Sequence, residues 1–174
     1  RDYLRYVPLE QVRDNKYNLS VQRYFADEFD GTPLKRLVKS LSGDRAGKDT
    51  FGKFIRTGNL KNDDVDYLLN INKIEKRKLP VHSRKIEESC ILISTRWKSL
   101  KPTLFEYKGE PIYIGIDILA LEIRNPDLDS HYLISELNSK MVINQVTAFQ
   151  NLGAVQAINR EDFFRIKINV PSIE

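Results

Sequence analysis

Glu88-Ser89-Cys90-Ile91-Leu92-Ile93-Ser94-Thr95-Arg96 sets four consecutive apolar side chains between polar ends, the composition of a buried β-strand. Downstream, Thr103 to Tyr107 reads as a second strand, and Lys108-Gly109-Glu110-Pro111 as the turn after it. Ile112 to Ile116 and Leu119 to Ile123 continue a sheet with a break near Gly115 to Asp117. Asp129 or Ser130 then caps a helix that carries Tyr132, Leu133, Leu137 and Met141 on one stripe. The helix is interrupted at Asn138-Ser139 and ends before Gly153. Phe164, Ile166, Ile168 and Val170 alternate with Arg165, Lys167 and Asn169, which predicts a half-buried strand.

Upstream, Phe51 to Thr57 reads as a short strand. Before it, Thr32 can cap, Pro33 suits a first helical position, and Leu34, Leu37, Val38 and Leu41 repeat at helical spacing up to Gly43. This predicts a short amphipathic helix. Ser42 to Gly52 has loop composition, Asn72 to Lys85 is charged and ambiguous, and residues 1–30 read as an irregular leader broken by Pro8 and Asp14-Asn15. The order of helix, strands, helix and strand predicts an α+β fold. Its mixed, mainly antiparallel twisted sheet would have flanking helices, with a leader over 1–30 and one domain over 31–174.

The 174 residues, 41% hydrophobic and 30% charged, suit one domain with a core of its own. No apolar run approaches the roughly 18 residues of a membrane helix, and no signal peptide is apparent. The chain begins at Arg1 and reads as a piece of something longer. The single cysteine, Cys90, excludes an internal disulfide, and beside only His82 and His131 it cannot build a Cys/His zinc cluster. A reducing, cytoplasmic setting is expected. The net charge of +4 is unevenly spread. From Lys35 to Lys61, eight cations stand against Asp44 and Asp49. From Gly109 to Ser130, Glu110, Asp117, Glu122, Asp127 and Asp129 stand against Arg124 alone. That polarity suggests a face for a polyanion, with an ordinary mixed surface as the alternative.

Enzyme constellations are missing from the sequence. Gly47-Lys48 is followed by Asp49, so no phosphate-binding P-loop forms. Asn125-Pro126-Asp127 lacks the second proline and aromatic of an amino-methyltransferase motif and reads as a turn. Glu106-Tyr107-Lys108 fits a nuclease triplet, yet the nearest upstream Asp is Asp66, so a solvated strand end is the better reading. No nucleophile elbow exists. What stands out instead is a set of loop residues suited to nucleic acid: Lys53, Arg56, Thr57, Asn59 and Lys61; Thr95, Arg96, Trp97, Lys98 and Lys101; and Gln150, Asn151, Gln156, Asn159 and Arg160. They join phosphate-seeking cations to amides able to read base edges. Solvent-facing loops with Trp97 closing the core are the plain alternative.

Three ordered stretches resemble the target recognition domain of type I restriction-modification specificity subunits. These are Phe54-Ile55-Arg56-Thr57-Gly58-Asn59-Leu60; Cys90-Ile91-Leu92-Ile93-Ser94-Thr95-Arg96; and Tyr132-Leu133-Ile134-Ser135-Glu136-Leu137-Asn138-Ser139, continuing through Ile158-Asn159-Arg160-Glu161-Asp162-Phe163 to Val170-Pro171-Ser172-Ile173-Glu174. Asn15-Lys16-Tyr17-Asn18-Leu19-Ser20-Val21-Gln22-Arg23-Tyr24 is similar to the C-terminal segment of N6-adenine DNA methylase subunits. The resemblance implies a non-catalytic module that binds double-stranded DNA and reads a half-site. It would position a separate or fused N6-adenine methyltransferase, and in a full complex a nuclease subunit. S-adenosylmethionine, magnesium and ATP would belong to partner subunits, with no cofactor in this chain. Family members usually carry two recognition domains separated by long helices, and this chain has one at most. The residues expected at phosphates are Lys53, Lys61, Lys98 and Lys101. Those expected at bases are Arg56, Asn59, Arg96 and Gln156. Trp97 is a candidate for stacking, with packing preferred. The rival reading is a docking domain of a methylase complex that binds DNA only weakly.

Overall fold

A computed structural model describes residues 4–25, 29–96, 99–150 and 156–170. The expected Trp97 and Lys98 contacts lie outside those residues. The chain opens with α1 (Leu9–Asp14) and α2 (Val21–Phe25), followed by β1 (Thr32–Pro33), α3 (Leu34–Leu37), β2 (Val38–Ser40) and β3 (Phe51–Ile55). Next come β4 (Lys76–Lys78), β5 (Arg84–Ile86), β6 (Cys90–Ser94), β7 (Thr103–Phe105), β8 (Ile112–Ile114) and β9 (Ile118–Ile123). The chain then runs through α4 (Ser130–Asn138), α5 (Lys140–Phe149), α6 (Arg160–Arg165) and β10 (Lys167–Ile168). The fold is α+β, as expected, but its strands form three sheets: β1-β10, β2-β9-β6-β7 and β4-β3-β8-β5. The pairings between these strands are antiparallel except β3 with β8.

β6 explains the layering. All five of its residues are buried, and alternation along a strand sends them to opposite faces. Ile91 and Ile93 join Leu121, Leu133, Leu137, Val142, Val146 and Phe163 in a core between sheet and helices. Cys90 and Leu92 join Ile55, Ile86, Phe105, Ile112, Ile114 and Ala120 in a second core between the two four-stranded sheets. An unbroken apolar run therefore marks a strand that both cores share, as β9 does through Leu121 and Ala120.

Helices α4 and α5 follow the sequence reading closely. Asp129 accepts from the backbone of His131 at 2.8 Å and Tyr132 at 3.0 Å. Ser139 ends α4 and caps α5 through the Val142 N–H at 3.3 Å, which accounts for the break. Met141 turns outward, and Val142 and Val146 continue the buried stripe in its place.

Two sequence expectations are corrected. The helix from Thr32 lasts one turn, because Val38, Lys39 and Ser40 leave it to pair with Ile123, Glu122 and Leu121 at the open edge of β9. Leu34, Leu37 and Val38 are buried all the same: an available strand edge outweighs a weak local preference. Gly43, expected to end that helix, serves a close approach instead, since a Cβ there would stand 1.7 Å from the Lys85 carbonyl oxygen. The second correction concerns Phe164 and Arg165. They close α6, whose start is fixed by Asn159 accepting from the Asp162 N–H at 2.8 Å, with Glu161 and Asp162 in the first turn. The alternation survives only beyond it, with Ile166 and Ile168 buried and Lys167 and Asn169 exposed.

The ambiguous segment holds β4 and β5. The leader is ordered into α1 and α2, with Tyr24 buried. Its helices escape a periodicity search because they span six and five residues.

Candidate nucleic-acid interface

β3 and β8 run parallel, with Ile55 opposite Ile114, so both strands end on one side. The chain leaving β8 turns through Gly115, Ile116 and Asp117 into β9, whose first residue, Ile118, lies opposite Ser94 at the end of β6. Thr95 fastens the junction, its N–H and its hydroxyl both donating to the Asp117 carbonyl, at 2.9 and 3.1 Å. The ends of β3, β6 and β8 and the start of β9 thus form one rim across both four-stranded sheets.

Five hydrogen bonds and bridges bring distant segments onto this rim. The Ser94 N–H donates to the Leu100 carbonyl at 2.7 Å, closing the loop that leads to β7. The Thr103 hydroxyl donates to the Lys101 carbonyl at 3.0 Å and accepts from the Lys61 N–H at 2.7 Å. Arg96 forms a β-bridge with Ala157, and the Ile158 N–H donates to the Thr95 carbonyl at 2.9 Å, which sets exposed Gln156 beside Arg96.

Of the residues read from the sequence, Arg56, Asn59, Lys61, Arg96, Lys101 and Gln156 therefore share the rim. Arg56 is exposed, and the half-buried Asn59 accepts its N–H on Oδ1 at 2.8 Å. The Arg96 Nε meets Asp117 Oδ1 at 2.9 Å with the Arg96 side chain still 53% exposed. Lys61 pairs with Asp66. Lys53 lies apart: it sits two residues before the end of β3 and is only 12% exposed, with its ammonium 2.9 Å from Glu110. Lys53 and then Lys76 hold the Glu110 carboxyl below its usual range.

The basic and acidic segments, apart along the chain, meet in space at two ion pairs. Glu110 takes Lys53, Glu122 takes Lys39 and Asp117 takes Arg96. Lys39 and Lys53 of the basic segment are thus matched by acids of the other, while Arg96, from outside it, takes a third, so the rim owes its character to a few side chains rather than to a broad basic field. Sequence reasoning missed Asp117 as the partner of Arg96 and Thr103 as the clamp between Lys61 and Lys101. Neither is signalled by local pattern, because both act through strand pairing.

The other motifs settle as local structure. Asn125 accepts the Asp127 N–H at 3.0 Å on its side chain and the Leu128 N–H at 3.1 Å on its carbonyl, a turn. Lys108 closes on Glu106 at 2.7 Å. Among the described residues no group of three His, Cys, Asp or Glu side chains is placed to hold a metal, and no helix is long and apolar enough to cross a membrane.

No protein-family model matches the chain, and no curated protein sequence matches it. Among solved structures, the HsdS subunit from Thermoanaerobacter tengcongensis is similar in fold, with a TM-score of 0.54 at 16% identity over 94% of this chain. A chain from a structure on complex assembly and conformational transition of the type I R-M system gives a TM-score of 0.47 at 16% identity over 91% of this chain. This chain spans 40% and 43% of the lengths of those two.

Proposed function

We propose that this chain is a target recognition module for double-stranded DNA in a type I restriction-modification system. It reads a half-site and presents it to an N6-adenine methyltransferase, separate or fused, and to a nuclease where one is assembled. It performs no chemistry itself; S-adenosylmethionine, magnesium and ATP serve the partner subunits, in the cytoplasm. The observation that carries this reading is the gathering of Arg56, Asn59, Lys61, Arg96, Lys101 and Gln156 on one rim from segments up to a hundred positions apart. The fold likeness to an HsdS subunit supports it.

The chemistry follows from the geometry. Asp117 holds the Arg96 Nε and so orients the guanidinium, which leaves Nη1 and Nη2 to donate together to guanine O6 and N7. The Asn59 Nδ2 and the Gln156 amide suit base edges as well. Lys61 and Lys101, with Lys98, set register on phosphates. Lys53 reaches a phosphate only by exchanging Glu110 for it.

Fluorescence anisotropy against a randomised duplex pool, with sequencing of the bound fraction at low and moderate salt, tests this reading. The expected result is an enriched motif of a few base pairs, bound with a log–log salt slope of about −0.9 per phosphate contacted. Arg56→Ala and Arg96→Ala should each weaken binding by about tenfold and relax one position of the motif. Binding without enrichment, or none at low salt, would overturn it.

A docking domain is the second reading, favoured by Leu4, Tyr6, Leu9, Tyr17, Leu19 and Val21, all exposed on the leader. Apolar docking to a methylase subunit would be insensitive to salt, and the same titration separates the two.

A further inference from the structure

Ile116 stands on the recognition rim with its side chain in water, 76% exposed, between Gly115 and Asp117. The turn beneath it is held on every side. The Ile118 N–H donates back to the Gly115 carbonyl at 3.4 Å, and the Asp117 carbonyl takes both donors of Thr95. The Asp117 carboxylate takes the Arg96 Nε at 2.9 Å. Gly115 lies close over the Phe54 ring, where a Cβ would come within 3.2 Å. Ile116 is therefore presented by fixed backbone, next to the residue that orients Arg96. Across the parallel pairing of Ile114 with Ile55, it stands level with the turn carrying Arg56.

A β-branched side chain with restricted χ1, offered to solvent on the turn that joins β8 to β9, is a poor phosphate ligand and a good apolar probe. The apolar group that a base pair presents in the major groove is the C5-methyl of a pyrimidine, which aliphatic side chains contact directly. On the premise that the rim binds DNA as proposed above, we infer that Ile116 reads a pyrimidine C5-methyl group adjacent to the bases contacted by Arg96 or Arg56. Two bases carry that methyl, thymine and 5-methylcytosine, and the experiment separates them.

The enriched duplex from the randomised pool is remade with deoxyuridine replacing each thymidine in turn, and with 5-methylcytosine replacing each cytosine in turn. Each duplex is titrated with the 174-residue chain and with Ile116→Ala. The exposed position leaves the fold intact, checked by an unchanged thermal midpoint. If thymine is read, one deoxyuridine weakens wild-type binding about fourfold, the value of one buried methyl, and leaves Ile116→Ala unaffected. If 5-methylcytosine is read, one added methyl tightens wild type by the same factor and the variant not at all. Equal responses of wild type and variant at every position would overturn the assignment while leaving DNA recognition standing. Failure of the pool to yield any motif would overturn recognition and the assignment together.

Discussion

Cys90 begins β6 with its thiol facing the core between the two four-stranded sheets, where burial pushes its pKa from 9.0 up to about 12. The unfolded chain ionises first, so the thiol's contribution to stability is complete below pH 9 and is lost as pH rises from 9 toward 12. Urea melts above pH 9 should show stability falling by up to about 1.4 kcal/mol per pH unit, and Cys90→Ala should lack that component. An equal fall in the variant would assign the loss to other groups. The apolar neighbours of Cys90 already indicated a packing thiol. The state of Arg96 was not legible in the same way: its residue type suggested a base contact, but its restraint by Asp117 arises from a pairing of β6 with β9 that no local pattern reveals.

The best-anticipated elements are those whose ends carry their own hydrogen-bonding groups. Asp129 and Ser139 satisfy N-terminal donors of α4 and α5 whatever those helices pack against. Ser139→Ala should cost about 1 kcal/mol, read as a lower thermal midpoint, and Ser139→Asp should restore most of it. If both variants melt like wild type, the break between the helices owes nothing to the cap. The Asp129 carboxyl is held below its usual 3.8, chiefly by the Tyr132 N–H, so this cap is complete above that pH and fades as acid protonates it. β2 and the end of α6 went the other way. Helical spacing at Leu34, Leu37, Val38 and Leu41 coexists with a free edge on β9, and alternation at Phe164 to Val170 coexists with the Asn159 cap. Where two local signals overlap, the partner nearest in space decides.

At the scale of the molecule, the leader is fastened to the body by an ion pair withdrawn from water. Arg23 and Asp162 are 4% and 7% exposed, with Nη2 and Oδ2 2.6 Å apart, and Arg23 also donates to the Phe149 carbonyl at 3.0 Å. Asn159 Nδ2 donates to the same carboxylate oxygen at 2.6 Å. Without Arg23, the buried Asp162 carboxylate is left with Arg165, 3.6 Å from Oδ1, and the Asn159 amide. Arg23→Ala should therefore cost about 2 kcal/mol in denaturant unfolding, the scale of hydrogen bonds lost to a charged group, and speed proteolysis within residues 4–25. A change under about 0.5 kcal/mol, the scale of a surface substitution, would show the leader to be an appendage. The apolar strands, the capped helices and the α+β class follow from the residues alone, because strand alternation, helical spacing and side-chain caps act over a few residues. The sequence also nominated most of the residues that meet on the rim. That they meet, that Lys39 and Lys53 find partners in the acidic segment, and that the leader is clasped to α6 emerged with the packed chain alone. Those outcomes depend on strand register and on charges paired across as many as 145 positions of chain, as Lys16 with Glu161, where the free energy comes from groups that local pattern cannot bring together.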